Sequence, residues 1–226
     1  WGIFDYSQQE PRLVVHYASL RHFTGAGKFV DSYQEDETTD FHTMVSEMAD
    51  IPRKQAKTIN LGLFYGMGKG KLMSQLGVNL ETASELLASY NERVPFVKQL
   101  MNDTMNKAGK KGYLSTLEGR RCRFDQWEPT NEWGQKSLPL AEAQQQYGEH
   151  MIKRAWTYKA LNRLIQGSAA DQTKKAMLEL DKEGYLAHIQ VHDELDFSVA
   201  SDADKNKIKD IMENCVKLSV PSKVDV

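Results

Sequence analysis

A chain of 226 residues, 40% hydrophobic and 27% charged, has the size and composition of one large globular domain or two small ones and is not a disordered tail. Its formal net charge of -2 excludes a uniformly basic nucleic-acid wrapper, although the average conceals an acidic stretch over 31–40 and a basic one over 107–123. No run approaches the roughly 18 apolar residues of a membrane span, no signal-like segment opens the chain, and Cys122 and Cys215 lie far apart without metal-ligand spacing, so a soluble cytoplasmic protein without thiol redox chemistry is expected.

The chain opens at Trp1 and runs straight into a strand-like stretch over 1–6, as an excerpt of a longer protein is expected to do. Ser7-Gln8-Gln9-Glu10-Pro11-Arg12 then reads as a helix start, with Ser7 as cap, Glu10 at the capping-box distance and Pro11 in the first turn. Leu13, Val14, Tyr17, Ala18 and Leu20 give that helix one apolar face. Asp5 therefore ends a strand just before a helix, a position where catalytic carboxylates are displayed and where ordinary turn residues also sit. The residues alone leave both open.

Gly25 to Gly27 reads as loop and 41–48 as a short helix. Asp50-Ile51-Pro52-Arg53 opens the next helix, over 51–66, with Asp50 near its cap. Arg53, Lys57, Leu61 and Tyr65 recur at four-residue spacing, which makes a slowly drifting stripe along about 18 Å of helix. By itself such a stripe is equally a solvated cationic face. Gly62 and Gly66 lower helix propensity and mark a close approach to the backbone. The stretch 66–71 is glycine-rich and basic but lacks the spacing and hydroxyl of a phosphate-binding loop, so it reads as a loop after a helix.

Helices are expected over 80–90 and 94–108, then a hairpin over 112–124 turning at Glu118-Gly119 and carrying Arg120, Arg121 and Arg123, which suits phosphate contact or a plain solvated turn. An irregular loop over 125–139 precedes a long helical pattern over 140–183, with Tyr158, Asn162 and Gln166 on one stripe and a kink at Gly167-Ser168. In 189–199 the alternation of Ile189, Val191, Leu195, Phe197 and Val199 predicts a half-buried hairpin reversing at His192-Asp193. It presents Asp193 and Glu194, and carboxylates on a rigid hairpin suit a divalent metal. An amphipathic helix over 203–218 and the start of a strand over 220–226 complete the chain, without internal repeats.

Asp5-Tyr6-Ser7-Gln8-Gln9-Glu10-Pro11-Arg12, then Arg53-x3-Lys57-x3-Leu61-x3-Tyr65-Gly66, then Gln166-Gly167, then Val191-His192-Asp193-Glu194, together with the 112–124 hairpin, resembles the polymerase core of the family A DNA polymerases, the bacterial DNA polymerase I and phage replicase family. The short gap between His42 and Arg53 is more phage-like than bacterial. The resemblance implies an α+β fragment: an antiparallel palm sheet bearing catalytic carboxylates, with a mostly helical fingers subdomain inserted. Residues 1–20 would be palm, 21–110 fingers with the nucleotide-binding helix 51–66, and 111–226 palm again, while thumb, exonuclease and the earlier palm segment lie outside the chain.

The implied activity is template-directed addition of deoxynucleoside triphosphates to a primer 3′ end by two-metal phosphoryl transfer. Two Mg²⁺ ions roughly 4 Å apart would be held by Asp5, Asp193 and the Tyr6 carbonyl, with Glu194 in support. Lys57 would neutralise or protonate the leaving pyrophosphate, Arg53 and His42 would face the phosphates, and Gln8, Leu61 and Tyr65 would complete the nucleotide site. Glu10 would exclude a 2′-hydroxyl, and Leu61, where Phe or Tyr is more usual, implies discrimination against dideoxynucleotides. Primer-template DNA would meet Asn162, Gln166, His192, Arg120 and Arg121, and Tyr158 stands where the family's pattern has an arginine. A single-subunit RNA polymerase, disfavoured by Glu10, and a catalytically incompetent DNA-binding fragment are the rival expectations. A processivity factor is left unspecified, no membrane partner is expected, and the site of action is the cytoplasm, that of a host cell if the protein is viral.

Overall fold

The computed structural model describes residues 1–132 and 134–226. The chain runs through β1 (Gly2–Tyr6), α1 (Gln9–Ser19), α2 (Ala26–Glu35), α3 (Phe41–Ala49), α4 (Arg53–Phe64), α5 (Lys69–Leu76), α6 (Leu80–Arg93) and α7 (Pro95–Lys111). It continues through β2 (Tyr113–Ser115), β3 (Arg121–Arg123), β4 (Trp127–Pro129), α8 (Leu140–Tyr147), β5 (Ile152–Arg154), a 3-10 turn (Thr157–Lys159), α9 (Ala160–Lys182), β6 (Ile189–Val191), β7 (Glu194–Phe197), α10 (Asp202–Asn214) and β8 (Val224–Asp225). Helices and antiparallel sheets thus mix as expected. Among the described residues no helix is long and apolar enough to cross a membrane.

The main sheet has the order β6-β7-β1-β8, so the first strand of the chain lies between β7 and the last strand, β8. Period-two alternation sorts its side chains. Phe4, Tyr6, Leu195, Phe197 and Val224 pack on one face against Ala176 and Leu180 of α9 and Ile208 and Met212 of α10. Each such fully buried apolar side chain stabilises the fold by about 1.5–3 kcal/mol. Cross-strand partners share a face, so the register Ile3↔Asp196, Asp5↔Glu194 and Asp5↔Asp225 puts four carboxylates on the opposite side.

A second core gathers Leu13, Val14 and Val15 of α1 with Phe29, Phe41, Ile59, Phe64 and Phe96 of the helices around it and Leu161, Leu164 and Ile165 of α9. Every residue of α1 from Pro11 to Ala18 is buried, so this helix is enclosed on all sides. The first half of α9 belongs to one core and its second half to the other.

Several local expectations are corrected. Ser7 does not cap α1: its N–H donates to the Lys223 carbonyl at 2.8 Å, the residue before the helix is Gln8 in a left-handed conformation (φ 53), and Glu10 turns to Tyr65 instead of back to the cap. The loop expected at 25–27 is only Gly25 (φ 88); α2 begins at Ala26 because Ala26, Phe29 and Tyr33 bury one stripe amid charged neighbours. Asp50 ends α3 in a left-handed conformation instead of opening α4, whose first turn has no side-chain cap. The stretch 66–71 is loop only as far as Gly68, where α5 starts.

The long helix expected over 140–183 is broken at Gly148 (φ 89) into α8, β5, the 3-10 turn and α9. β5 pairs with β4, which lies inside the segment read as irregular loop, and Arg154 stacks over the Trp127 ring at 4.5 Å. Trp133 of that segment lies outside the described residues. Gly167 lies within α9, and the close neighbour it accommodates is the β2–β3 turn: a Cβ there would stand 2.9 Å from Thr116 Cγ2 and 3.2 Å from Arg120 Nη2. Ile189 and Val191 are 49% and 51% exposed, so only the β7 half of the last hairpin is buried. α10 stops at Asn214, short of the expected end, and β8 spans only Val224–Asp225. The short helix near 41–48, the helices near 80–90 and 94–108, and the 112–124 hairpin with Gly119 at φ 80 match their patterns.

Candidate active site

Asp5 and Glu194 face each other across the β1–β7 pair, and Asp193 sits in the β6–β7 turn beside them, its carbonyl accepting the Tyr6 N–H at 3.4 Å. The turn is held by His192 at φ 55, a conformation that costs a residue with a side chain about 1–3 kcal/mol and clusters at functional sites. Asp225 flanks Asp5 from the other side and leans toward Lys223 at 3.4 Å. Burial raises the Asp5 carboxyl above its ordinary value, and repulsion from Asp193, Glu194 and Asp225 raises it further. This is a concentration of hard oxygen donors short of positive charge, the donor chemistry that magnesium prefers. Among the described residues no three His, Cys, Asp or Glu side chains converge closely enough to hold an ion by themselves.

Beside these carboxylates lies a cleft of about 470 Å³, walled by Glu10 of α1, Tyr65 at the end of α4, Gln166 and Ala170 of α9, and His192 and Asp193 of the hairpin. Five residues singled out in sequence, from four separate segments, thus meet around one space. The Tyr65 hydroxyl donates to the Glu10 carboxylate at 3.1 and 3.3 Å, and the Gln166 side chain lies on the wall of the same cleft. Burial raises the Glu10 carboxyl, against the lowering pull of the Tyr65 hydroxyl. Tyr65 is also raised, by burial and then by the neighbouring Glu10 charge.

Along α4, Lys57 is exposed, Leu61 half-buried and Tyr65 41% exposed, which leaves the stripe open to solvent. Arg53 is engaged instead by the protein itself: Nη2 meets Asp40 Oδ2 at 2.8 Å, and Nε donates to Asp40 Oδ1 and Thr43 Oγ1, both at 3.1 Å. Burial raises the Asp40 carboxyl, but Arg53 and the Thr43 donors outweigh it and hold the group at about 2. His42 is packed between helices, only 6% exposed, with Nδ1 2.9 Å from the Asn60 amide nitrogen, and burial lowers its pKa. Gln8 accepts the Phe41 N–H at 2.8 Å and donates to the Thr39 carbonyl at 3.1 Å. Three residues expected to meet nucleotide therefore have protein partners: Arg53 and Gln8 around the start of α3, and His42 at Asn60 of α4.

Of the expected DNA contacts, Gln166 lines the cleft and Asn162 lies one turn earlier on α9, half-buried. Arg120 ties the β2–β3 turn to α9, through Asp171 Oδ1 at 2.9 Å and the Gly167 carbonyl at 2.8 Å. Arg121 is exposed and stacks 4.7 Å from the Tyr113 ring centre. Tyr158 stands in the 3-10 turn, off the α9 stripe, and its carbonyl explains Gly66: a Cβ there would meet it at 2.5 Å. Sequence reasoning missed Asp225 and Arg12. The first sits in the strand expected over 220–226 with no motif around it, and the second entered only as the last residue of the Asp5–Arg12 motif, a charge beside the apolar run of α1.

Residues 2–226 match the family model described as DNA polymerase family A. The chain is 38% identical, over 267 aligned positions and all of its length, to a DNA-directed DNA polymerase of Pseudomonas phage M6. It is 31% identical over 237 positions to DNA polymerase I of Bacillus subtilis (strain 168), again along all of the chain. It spans 37% of the phage relative and 25% of the Bacillus one. Among solved structures it is similar to the POL domain of Pol1 from M. smegmatis in complex with DNA primer-template and dNTP, with a TM-score of 0.75 and 28% identity, over 99% of this chain and 38% of that one.

Proposed function

The chain belongs to DNA polymerase family A, and from that premise we propose that it builds the polymerising site of such an enzyme, which adds deoxynucleoside triphosphates to a primer 3′ end under the direction of a template. The observation that carries this reading is the meeting of Asp5, Asp193 and Glu194 from the two ends of the chain, beside a cleft walled by Glu10, Tyr65, Gln166 and His192. In this reading 1–20 and 111–226 are the palm and 21–110 the fingers. The enzyme is soluble and acts in the cytoplasm, that of a host cell if it is viral.

Asp5, Asp193 and the Tyr6 carbonyl would hold two Mg²⁺ ions, with Glu194 in support. The burial and like-charge crowding that raise Asp5 fit such a role. When bound, the ions activate the primer hydroxyl and neutralise the triphosphate. The chain's own groups do the rest. Lys57, exposed on the α4 stripe, donates charge or a proton to the departing pyrophosphate. Arg53 joins it by exchanging Asp40 for a phosphate, with His42 acting from the first turn of α3 and Gln8 from the start of α1, which its side chain ties to α3. Leu61 and Tyr65 pack on the sugar and base, where stacking contributes roughly 1–3 kcal/mol.

Glu10 lies beneath the sugar and excludes a 2′-hydroxyl. Asn162, Gln166 and His192 meet the minor groove, whose acceptors are common to all correct pairs, so amide donors there sense pair geometry without reading sequence. Arg121 contacts phosphate, and Arg120 holds the hairpin that presents it. Primer extension by the chain with Mg²⁺, with and without Asp5→Asn, tests the proposal. A lengthened primer that depends on Asp5 is expected, whereas no extension, or equal extension by the Asn variant, overturns it.

A further inference from the structure

Arg12 is a charged side chain buried between α1, the end of α2 and the segment before β8, with 2% of its surface exposed. Among the described residues it forms no ion pair with a carboxylate. Its guanidinium serves three main-chain carbonyls instead: Nε donates to Ser7 at 2.9 Å, Nη1 to Pro221 at 2.7 Å and Nη2 to Glu37 at 2.6 Å. The Tyr33 ring lies 4.5 Å from Cζ and closes the site from the side. Burial pulls the Arg12 pKa down, and Tyr33 and the more distant acids oppose that pull.

The three carbonyls belong to segments that converge on the site from different directions. Ser7 closely follows Asp5. Pro221 leads to Lys223, whose carbonyl accepts the Ser7 N–H at 2.8 Å, and then to β8 and Asp225 beside Asp5. Glu37 lies in the turn that leads to Asp40, which starts α3 and grips Arg53 of α4. A planar fork fixes its acceptors in angle as well as distance, which an ammonium on a flexible stem does not. The Gln8 side chain forms a second, parallel link from the same turn to Phe41 and Thr39. Among the described residues, Arg12 thus joins by hydrogen bonds the connection leaving β1, the connection entering β8 and the approach to the α4 stripe.

We propose that Arg12 is a positioning residue: its three-way fork sets the spacing between the carboxylates of the sheet and the nucleotide-facing stripe of α4. The inference rests on the polymerase reading above. Small displacements of reacting groups cost up to about a hundredfold in rate while leaving binding groups in place.

The test is Arg12→Lys, which keeps the charge and loses the fork, assayed by steady-state primer extension well below the variant's melting temperature. We expect kcat to fall about tenfold or more with the nucleotide KM changed by less than about twofold. Amide exchange should quicken over 7–9, 37–41 and 219–223 and stay unchanged in α7. A lowered Tm with unchanged kcat and KM overturns the proposal and leaves Arg12 an ordinary stabilising contact. Should Arg12→Lys fail to fold, Tyr33→Leu removes the stacked ring and keeps the fork; a smaller fall in kcat, about two- to fivefold, is expected, and an unchanged kcat overturns the proposal. Extension by the unsubstituted chain with an indifferent Arg12→Lys removes only the positioning role, whereas no extension by the unsubstituted chain removes the polymerase reading as well.

Discussion

Arg53 and Asp40 hold each other through two oxygens, at 2.8 and 3.1 Å, and Asp40 also accepts the Thr43 N–H at 2.6 Å, so one carboxylate both starts α3 and occupies the first cation of the α4 stripe. Any phosphate that reaches Arg53 competes with that carboxylate. Solvent screens an exposed pair of this kind, so the exchange costs little. Asp40→Asn keeps the cap acceptor and removes the charge that pairs with Arg53, so the nucleotide KM should fall by up to about fivefold, with a modest fall in Tm at neutral pH because the ionised carboxylate is the form the fold favours. Steady-state kinetics at varied nucleotide would show a flat KM if Arg53 never turns to the triphosphate.

Glu10 and Tyr65 are joined across the mouth of the cleft. Removing the carboxylate with Glu10→Ala should open room under the sugar and raise the ratio of ribonucleotide to deoxynucleotide incorporation by roughly tenfold or more, the scale of one relieved steric clash. Competition assays with paired ribo and deoxy substrates measure that ratio directly. An unmoved ratio would place Glu10 elsewhere than beneath the sugar.

Leu61 lies one turn before Tyr65 on the same half-open stripe. A branched aliphatic side chain has no hydroxyl to offer near the 3′ position of a nucleotide. Leu61→Tyr should therefore improve dideoxynucleotide incorporation relative to deoxynucleotide by about tenfold, the value of about 1.4 kcal/mol from one well-placed hydrogen bond. Chain-termination ladders at fixed substrate ratios report it, and identical ladders would remove Leu61 from the sugar-facing position.

Asp5 carries a carboxyl raised by burial and by three neighbouring acids. An acid that binds its proton more tightly when folded makes stability decline as pH rises from its unfolded pKa through the raised folded one. Asp5→Asn removes that decline. The variant should melt a few degrees higher than the parent at pH 7 in the absence of divalent ions, with the gap closing toward pH 4, and it should not extend primers. Thermal melts across that pH range check the sign, and a variant less stable at neutral pH would contradict it.

Much of the site was legible because its carboxylates sit on short alternating strands whose period survives inspection: Phe4 and Tyr6 flank Asp5, and Leu195 and Phe197 follow Glu194. The α4 stripe was legible for the same reason, a strict spacing. What escaped were contacts between segments. Nothing in the thirteen positions from Asp40 to Arg53 announces that they pair, and no pattern tells that α1 is enclosed on every side, so Arg12 could not be placed. α2 was hidden because its buried stripe of Ala26, Phe29 and Tyr33 is diluted by Lys28, Asp31 and Glu35. The break in 140–183 was hidden because Gly148 alone interrupts the helical period, and the cause lies in the pairing of β5 with the distant β4.

The shared ownership of α9 sets how the molecule comes apart. At 23 residues, about 34 Å of helix, it is a rod with one end in each core, so neither core can melt while the other keeps the rod straight. Denaturation should register as a single cooperative event, and a lesion at Leu164 ought to be felt by the carboxylates at the far end of the same rod, through the sheet that Ala176 and Leu180 support.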